Sequence, residues 1–333
     1  MGFVSTPDAA PTYVPFRRSL IHLAGDLLTR RPGDRLPPGE EYQRRLGVGS
    51  GTFLRALRAL EELGAVAVES RGYRGTVLAF RDVSALWRAA ERGPVRVAFT
   101  PPGAPDHYGL AVGYIEELRL CGLPVSPMFA WSGAVRGRWL TEGHVDVAVM
   151  SLAAARSVQA IEPKIAVRDG SPVAYYGFDQ VVVVSTATAG TSGRSETGLR
   201  VGVDNSSPDH VALTQREFAD VDGVEWVQCR FRDVPAQILA GQIDAGVWHR
   251  IDAPISPELA GLVVRSRRSD GRPMVESETA AWCYRKDAAD IEAVIDLVDV
   301  EHVRATQDEV MAMDRMDVIQ TRLWAPALSE GAE

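Results

Sequence analysis

The segment spanning residues 36–78 constrains the fold of this chain more than any other, because its prolines, glycines and apolar residues divide it into short elements. Pro37 favours the start of a helix, which the pattern ends at Gly47. Apolar residues then recur at helical spacing over residues 50–63, and Gly64 follows as a helix-terminating glycine. The sequence therefore predicts two helices joined by a tight glycine turn.

A β-hairpin is predicted directly after the second helix. Strand-like residues 65–69 and 76–80 flank a turn at residues 71–75, which carries two arginines. An amphipathic helix over residues 16–30 would complete a small three-helix core. In this order of elements the second helix enters the major groove of DNA, and the basic hairpin tip approaches phosphates or the minor groove. The segment therefore predicts DNA binding.

Three motifs in this segment resemble the winged helix-turn-helix of GntR-type bacterial transcription regulators. They read L-P-P-G-E-E-x-x-x-R-L-G-V, G-T-F-L-R-A-L-R-x-L-E-E-L-G and R-G-Y-R-G-T, and the resemblance covers residues 14–80. Gly39, Glu40, Ser50 and Leu54 depart from it, since they stand where basic or polar contacts are usual. The remaining candidate DNA contacts are Ser50, Thr52, Arg55, Arg58, Arg71, Gly72, Tyr73 and Arg74. The alternative is a dimerisation module with feeble DNA affinity.

Charge is divided unevenly along the 333 residues. Residues 1–80 carry a net charge of +3 and the rest of the chain −11, which together give the total of −8. An acidic body is repelled by DNA, so contact with nucleic acid should be confined to the N-terminal part and should depend strongly on salt. The length suits a small reader domain joined to a larger α/β domain.

The sequence also predicts the compartment. Three widely spaced cysteines cannot form a fully paired disulfide framework and have no zinc-finger spacing. Neither a signal-peptide segment nor an apolar run of membrane-spanning length is present. We therefore expect a cytoplasmic protein with no membrane partner and no cofactor.

Five segments are predicted along the chain. They are a flexible arm (1–13), a winged helix-turn-helix (14–81), a linker helix (82–94), a bilobal effector-binding domain (95–326, second lobe about 180–250) and a flexible tail (327–333). The linker helix is expected to expose Trp87, which would pack on either domain or on a second subunit. Two further helices are predicted over residues 288–323.

The larger domain alternates strands and helices in two similar rounds, which favours an α/β fold with a doubly wound sheet in each lobe. In the first round VRVAFT is followed later by TEGHVDVAVMS, and in the second LRVGVD is followed by LAGQIDAGVWH. This repeat resembles the periplasmic-binding-protein-like fold of type II. Together with the N-terminal reader, the chain is similar to the YhfZ-like group of regulators. The resemblance implies lobes that close on a small effector.

Ligands of α/β sheets bind beyond the carboxyl ends of the strands. Ser207 can cap a helix that has Pro208 in its first turn, and free N–H groups there would hold a carboxylate or phosphate; capping alone is the alternative. Arg250 could bind an anion or form a surface ion pair. The predicted ligand-binding residues are Thr100, Asp106, His107, Ser151, Tyr175, Tyr176, Ser206, Ser207, Trp248, His249 and Arg250.

Motifs of catalysis are missing from the sequence. It contains no nucleophile elbow, no phosphate-binding P-loop and no dinucleotide fingerprint. The six histidines are scattered without metal-ligand spacing, so neither a catalytic residue nor a metal site is predicted, and this spacing argues against both roles for His107 and His249. The sequence thus predicts a homodimeric regulator of double-stranded DNA that responds to a small anionic effector. The alternatives are an enzyme or ligand-binding protein on the same fold whose helix-turn-helix serves for dimerisation, and an architectural DNA-binding protein without a ligand.

Overall fold

The computed structural model describes residues 13–177, 179–187, 198–251, 255–268 and 274–313. The predicted tail, and the predicted arm except Tyr13, lie outside these residues. The described chain forms two compact units. The N-terminal unit contains the residues up to Val95 together with Leu118–Pro124 and Asp287–Val298. The large unit contains Arg96–Glu117, Val125–Lys286 and the residues from Asp299 onward.

Three helices and a hairpin make up most of the N-terminal unit, as the sequence predicts. They are α1 (Tyr13–Leu28), α2 (Gly39–Leu46), α3 (Ser50–Glu62), β1 (Val66–Ser70) and the antiparallel β2 (Thr76–Arg81). The apolar faces of α1 and α3 pack together, and the core between the helices and the hairpin includes Leu23, Leu27, Phe53, Ala56, Leu60 and Leu78. Burial of one face of each short helix supplies the stability that isolated helices of this length lack.

Glycines set the ends of the two helices of the helix-turn-helix. Gly47 adopts a left-handed conformation with φ of 65° directly after α2, and its N–H donates to the carbonyl of Gln43. Gly64, with φ of 66°, lies two residues after the end of α3, directly after its C-cap Leu63. Glycine adopts this conformation without the steric cost that a Cβ imposes. Both glycines therefore stop a helix where the sequence predicts a stop.

The linker helix α4 (Val83–Ala89) is part of the N-terminal unit and makes extensive contacts with α1. The prediction that Trp87 is exposed is wrong: the indole is only 4% exposed, and its Nε1 donates to the carbonyl of Gly93 at 2.9 Å. Asp82 caps the helix by accepting the N–H of Ala85. The apolar side chains of this helix are thus buried in the core of the N-terminal unit.

Two five-stranded sheets form the large unit. The first has the order β4, β3, β5, β12, β6 and the second the order β11, β7, β10, β8, β9. The strands are β3 (Val95–Phe99), β4 (Val125–Phe129), β5 (Val147–Ser151), β6 (Ile165–Ala174), β7 (Val181–Ser185), β8 (Arg200–Val203), β9 (Glu225–Gln228), β10 (Ala245–His249), β11 (Val263–Ser266) and β12 (Thr279–Arg285). The prediction of an N-terminal helix-turn-helix followed by an α/β domain with two sheets is confirmed.

Both sheets of the large unit are mixed, and not purely parallel. β12 runs antiparallel to β5 and β6, and β7 runs antiparallel to β10 and β11. The reason is that the chain returns from the second sheet and inserts β12 between β5 and β6 of the first, a pairing that no local pattern reveals. The helices of this unit are α5 (Pro105–Leu120), α6 (Gly133–Thr141), α7 (Leu152–Ile161), α8 (Pro208–Glu217), α9 (Val234–Leu239), α10 (Val275–Glu278) and α12 (Val300–Ala312), with the last residues of α5 in the N-terminal unit.

The two helices predicted near the C-terminus belong to different units. The first, α11 (Ala289–Ile295), lies in the N-terminal unit, where Arg92 and Asp290 form an ion pair at 2.9 Å. The second, α12, packs on β6 in the large unit. No helix within the described ranges is long and apolar enough to cross a bilayer.

The repeat seen in the sequence corresponds to a repeated hydrogen-bond network. In the first sheet, Arg96 donates to both carboxylate oxygens of Asp146 and to the carbonyl of Gly143. In the second, Arg200 makes the same bonds to Asp244 and to the carbonyl of Gly241, also at 2.8 Å for the carbonyl bond. Each network ties the start of a parallel strand to the turn before its neighbour, so the two sheets share one local design.

Candidate functional site

A cavity of about 560 Å³ lies in the large unit and is lined by elements of both of its sheets. From the first sheet come the loop that follows β4, the helices α6 and α7, and Tyr175 and Tyr176 after β6. From the second come the loop between β8 and α8 and the segment after β9. A volume of this size is in the range of small-molecule sites. We call it the large-unit cavity.

Arg136 of α6 provides a buried positive charge at this cavity. Its side chain is 1% exposed, its Nη1 donates to the carbonyl of Ala130, and its Nη2 donates to the hydroxyl of Tyr175 at 2.9 Å. That hydroxyl also shares a 2.5 Å hydrogen bond with Thr100. The Nε–H of Arg136 has no partner among the residues that the structure describes. A guanidinium has five N–H donors, so this group can hold an anion and keep its present bonds.

Asp209, in the first turn of α8, faces the same cavity as a buried carboxyl group. Its Oδ2 accepts a 2.5 Å hydrogen bond from Ser151, whereas its Oδ1 has no partner within the described part of the chain. Burial raises the pKa of Asp209 to about 6, against the lowering effects of hydrogen bonding by Ser151 and Ser277 and of the charge of Arg136. The group is therefore poised to change its charge close to neutral pH.

The two serines of the loop before α8 form hydrogen bonds within the loop and with the first turn of the helix. Ser207 caps the helix by accepting the N–H of His210 at 3.3 Å, and Ser206 donates its hydroxyl to Asp204 at 2.6 Å. Both serines line the cavity, as does Asn205. The prediction that Ser207 caps a helix with Pro208 in its first turn is confirmed.

An aromatic and basic surface completes the cavity lining. The ring of Trp131 packs edge-on against Phe231, with 6.2 Å between centroids, and the guanidinium of Arg232 lies 5.7 Å from the centre of the Trp131 ring. Arg230 also lines the cavity. Three arginines thus line the cavity together with two carboxylates, Asp204 and Asp209. Arg232 also pairs with Asp233 at 3.6 Å.

A second group of predicted residues lies close to the cavity without lining it. We call Asp106, His107 and His249 the histidine cluster; all three side chains are buried. His249 Nε2 lies 2.8 Å from Asp106 Oδ2, which also accepts the N–H of Gly177. Burial raises the pKa of Asp106, but the charges of His249 and His107 outweigh this effect and lower it to about 2, while burial lowers the pKa of His107 to about 3.

The predicted ligand-binding residues therefore fall into four places. Tyr175, Tyr176, Ser206 and Ser207 line the cavity, and Thr100 and Ser151 support its walls by hydrogen bonds to Tyr175 and Asp209. The three residues of the histidine cluster contact one another. The remaining two lie elsewhere: Trp248 packs in the core of the second sheet, and Arg250 forms an exposed ion pair with Glu258 at 3.3 Å.

Sequence reasoning did not identify Arg136, Asp209 or Trp131. Trp131 could have been found, because it follows β4 and the strand-end rule nominates such loops. Asp209 directly follows Pro208 in the predicted first turn of the helix, but nothing local distinguishes it from an ordinary helix-start carboxylate. Arg136 gave no signal, since only the three-dimensional packing of α6 turns its side chain inward.

The exposed face of α3 presents the candidate DNA contacts of the recognition helix. Ser50 and Arg58 are exposed and Thr52 is half-buried. The guanidinium of Arg55 lies over the ring of Phe16, 4.8 Å from its centre, so this arginine is partly engaged with α1. Leu54 lies on the same face and is 46% exposed.

The hairpin tip holds the other candidate DNA contacts. Residues Gly72–Arg74 form a single turn of 3-10 helix, with Gly72 in a left-handed conformation. Arg71 pairs with Glu69 at 3.0 Å, and the ring of Tyr73 is 89% exposed. The side chain of Arg74 lies outside the described part of the structure. An exposed aromatic beside arginines suits contact with a nucleic-acid backbone.

Comparison with known families gives two matches on this chain. A model described as "YhfZ C-terminal domain" matches residues 82–317, and a model described as "Helix-turn-helix domain" matches residues 31–78. A protein of Escherichia coli strain K12, described as "Uncharacterized protein YhfZ", is 27% identical over 290 residues, which cover 87% of this chain and 93% of that protein. The match to YhfZ thus extends over both units.

Solved structures are also similar to this chain. The crystal structure of YhfZ from Shigella flexneri has a TM-score of 0.52 at 24% identity, and the match covers 69% of this chain and 94% of that one. A Corynebacterium glutamicum OxyR C206 mutant has a TM-score of 0.43 at 17% identity, with 92% and 95% covered. The first of these similarities supports the fold of the chain.

Proposed function

We propose a regulatory function for this chain, which belongs to the YhfZ family. In this proposal the N-terminal unit binds double-stranded DNA, and the large unit binds a small anionic metabolite that changes the affinity for the operator. The helix-turn-helix match at residues 31–78 supports the first part. The large-unit cavity supports the second.

The anion proposal depends mainly on the buried guanidinium of Arg136, which lines the cavity. A buried guanidinium that lines a cavity and has N–H groups to spare is costly unless an anion or an equivalent acceptor satisfies it. Arg230 lines the same cavity, and the first turn of α8 adds the positive end of a helix dipole. Arg232 also lines it, although it pairs with Asp233, and Asp204 and Asp209 contribute carboxylates. A carboxylate or a phosphate has the matching charge and geometry.

The DNA part of the proposal follows from the recognition helix and the hairpin. Arg58 and Ser50 on α3 supply exposed polar groups, and the hairpin supplies Arg71 and Tyr73. One such small domain reads a short half-site, so we propose a homodimer that reads two. By this proposal the winged helix is of GntR type, the large unit is of the type II periplasmic-binding-protein-like kind, and the protein works in the cytoplasm.

The proposed mechanism is a population shift. A ligand that contacts both sheets of the large unit binds better to the conformation in which the cavity walls are closest, and it shifts the equilibrium by its differential affinity. In a dimer that shift changes how the two DNA-binding units can engage their half-sites.

A thermal-shift screen of anionic metabolites tests the sensing part. We expect at least one carboxylate or phosphate compound to raise the melting temperature of the wild-type chain and to have no such effect on Arg136→Gln. Arg138→Gln is the matched control, because Arg138 is an exposed arginine on the same helix. If the responding anion stabilises Arg136→Gln and wild type equally, the cavity is not its binding site.

Two features of α3 favour a second candidate function. Arg55 is engaged with Phe16, and Leu54 occupies the exposed face of α3, so base readout by this helix is weakened. The chain would then be an enzyme or a ligand-binding protein whose helix-turn-helix serves for dimerisation. Sedimentation and DNA-binding measurements on the same preparation distinguish the two, since a dimer that binds no DNA at low salt favours this second function.

A further inference from the structure

The histidine cluster brings three metal-ligating side chains together from distant parts of the sequence. Asp106 and His107 lie in the first turn of α5, which covers the first sheet, and His249 is the last residue of β10 in the second sheet. One donor atom of each side chain lies within 4.8 Å of the other two, and all three residues are buried. No sequence motif indicates this arrangement, because the histidines are 142 positions apart.

Some ring nitrogens of the histidine cluster have no hydrogen-bond partner among the described residues. Both ring nitrogens of His107 and the Nδ1 of His249 are buried, and none of them has a hydrogen-bond partner among the described residues. Such unsatisfied buried nitrogens are costly, and native proteins seldom keep them without a reason.

A neighbouring histidine shows that this fold does satisfy buried imidazoles elsewhere. His210 is also buried, yet its Nδ1 accepts the N–H of Asp204 at 2.8 Å and its Nε2 bonds to the carbonyl of Val247 at 2.9 Å. The unused nitrogens of His107 and His249 therefore point to a missing group and not to a general property of this interior.

We propose that Asp106, His107 and His249 bind a divalent first-row transition cation, with Zn²⁺ as the best fit. Two imidazoles and one carboxylate are a donor set that such cations accept, usually with one further position left for water or another ligand. The carboxylate offsets part of the cation's charge. Bond lengths of roughly 2.0–2.2 Å would require small shifts of the three side chains, since His249 Nε2 and Asp106 Oδ2 now lie at hydrogen-bond distance, 2.8 Å apart.

The surroundings of the cluster hold the ligands in place. Asp106 accepts the N–H groups of His107 and Gly177, which fixes the direction of its carboxylate. The rings of Tyr175 and Tyr176 pack on His107 with centroids 5.1 and 5.5 Å away. Oriented ligands and an apolar shell are the features that tune a metal site.

A cation at this position would connect α5 of the first sheet to β10 of the second. Because it binds only when both elements are in place, it would stabilise the large unit in proportion to its concentration relative to its dissociation constant. This proposal does not depend on DNA binding or on the anion proposed for the cavity.

The test uses the full chain without a histidine tag, stripped with a chelator and titrated with Zn²⁺ against a chromophoric competitor. We expect one equivalent to bind at low-micromolar or lower concentration. Asp106→Asn, His107→Gln and His249→Gln should each weaken binding about tenfold or more. His144→Gln, which changes an exposed histidine, should bind like wild type. Binding that is absent in wild type, or unchanged in all three variants, overturns the proposal.

A measurement on the wild type alone guards against variants that fail to fold. One equivalent of Co²⁺ should give visible ligand-field bands of a low-coordinate nitrogen and oxygen site, and one equivalent of Zn²⁺ should remove them. The same Zn²⁺ should raise the melting temperature, whereas an equal concentration of Mg²⁺ should not, because Mg²⁺ prefers oxygen ligands. A Co²⁺ spectrum no different from that of the hydrated ion contradicts the site.

Discussion

At the scale of single residues, Asp209 couples the large-unit cavity to pH. Burial raises the pKa of its carboxyl from the usual 3.8 to about 6 in the folded chain. A raised pKa means that the folded state binds this proton more tightly than the unfolded state does. The stabilisation is fully present below pH 3.8 and is lost as the pH rises through about 6, with a total of about 3 kcal/mol for a shift of roughly two units.

Replacement of Asp209 by asparagine should remove this dependence. The variant keeps an acceptor for Ser151 but has no proton to lose, so its melting temperature relative to wild type should increase between pH 4 and pH 7. Thermal unfolding of both chains across this range measures the difference. A constant gap between the two melting temperatures would show that Asp209 titrates normally.

The residues of the cavity illustrate what local sequence could not reveal. Ser207 was predicted as a helix cap because Ser-Pro before an apolar run is a local signal. Arg136 and Asp209 acquire their importance from burial, and burial depends on how α6 and α8 pack in the large unit. From the sequence alone, a charged residue is expected to be exposed at the protein surface.

At the scale of elements, α5 and α12 approach each other so closely that glycine is required. A Cβ added at Gly113 would lie 2.7 Å from the carbonyl oxygen of Val303, and one added at Gly109 would lie 2.7 Å from that of Gln307. Gln307 in turn bonds to the backbone of Asp106 and Ala174. This contact therefore supports the first turn of α5, where the histidine cluster begins.

Gly113→Ala should destabilise the large unit by about 1–3 kcal/mol, because backbone atoms must shift to admit the methyl group. Gly25→Ala is the matched control: it lies inside α1, and an added Cβ there meets no described atom within 4 Å. The control should stabilise the chain by roughly 0.5–1 kcal/mol through helix propensity. Urea unfolding of both variants gives the two values; equal effects would contradict the close approach of the two helices.

The recognition helix gives a second prediction at this scale. Arg58→Ala should weaken DNA binding, and if the contact is to a phosphate, the slope of affinity against salt should fall by about one. Arg304→Ala, an exposed arginine on α12, is the control and should leave both quantities unchanged. Fluorescence anisotropy at several salt concentrations measures the slope. If both variants have the same DNA affinity and the same salt dependence, Arg58 of α3 does not contact DNA.

Elements whose signals are local were predicted well. Every helix and strand of the helix-turn-helix and hairpin lies within about three residues of its predicted bounds, because caps, glycines and helical spacing all occur within the segment. The strands β6 and β12 and the helix α7 were not predicted. β12 pairs with β5 and β6, more than a hundred residues earlier, and such pairing leaves no local pattern.

At the scale of the whole molecule, the sequence predicts two functional parts, and the structure shows two compact units with different boundaries. Leu118–Pro124 and Asp287–Val298 join the N-terminal unit, although both follow the predicted boundary at Pro94. Domain boundaries predicted from the sequence divide the chain into continuous segments. They therefore cannot predict a unit that is assembled from three separate segments. The division of charge, in contrast, is visible from composition alone.

The central claim is that an anion in the large-unit cavity changes the affinity of the chain for DNA. The most direct measurement is fluorescence anisotropy with DNA from the region upstream of its own gene, with and without an anionic metabolite that raises the melting temperature. We predict that the metabolite changes the dissociation constant of wild type about fivefold or more and leaves that of Arg136→Gln unchanged. Equal DNA affinity of wild type with and without such a metabolite, or no binding of DNA at low salt, would contradict the claim.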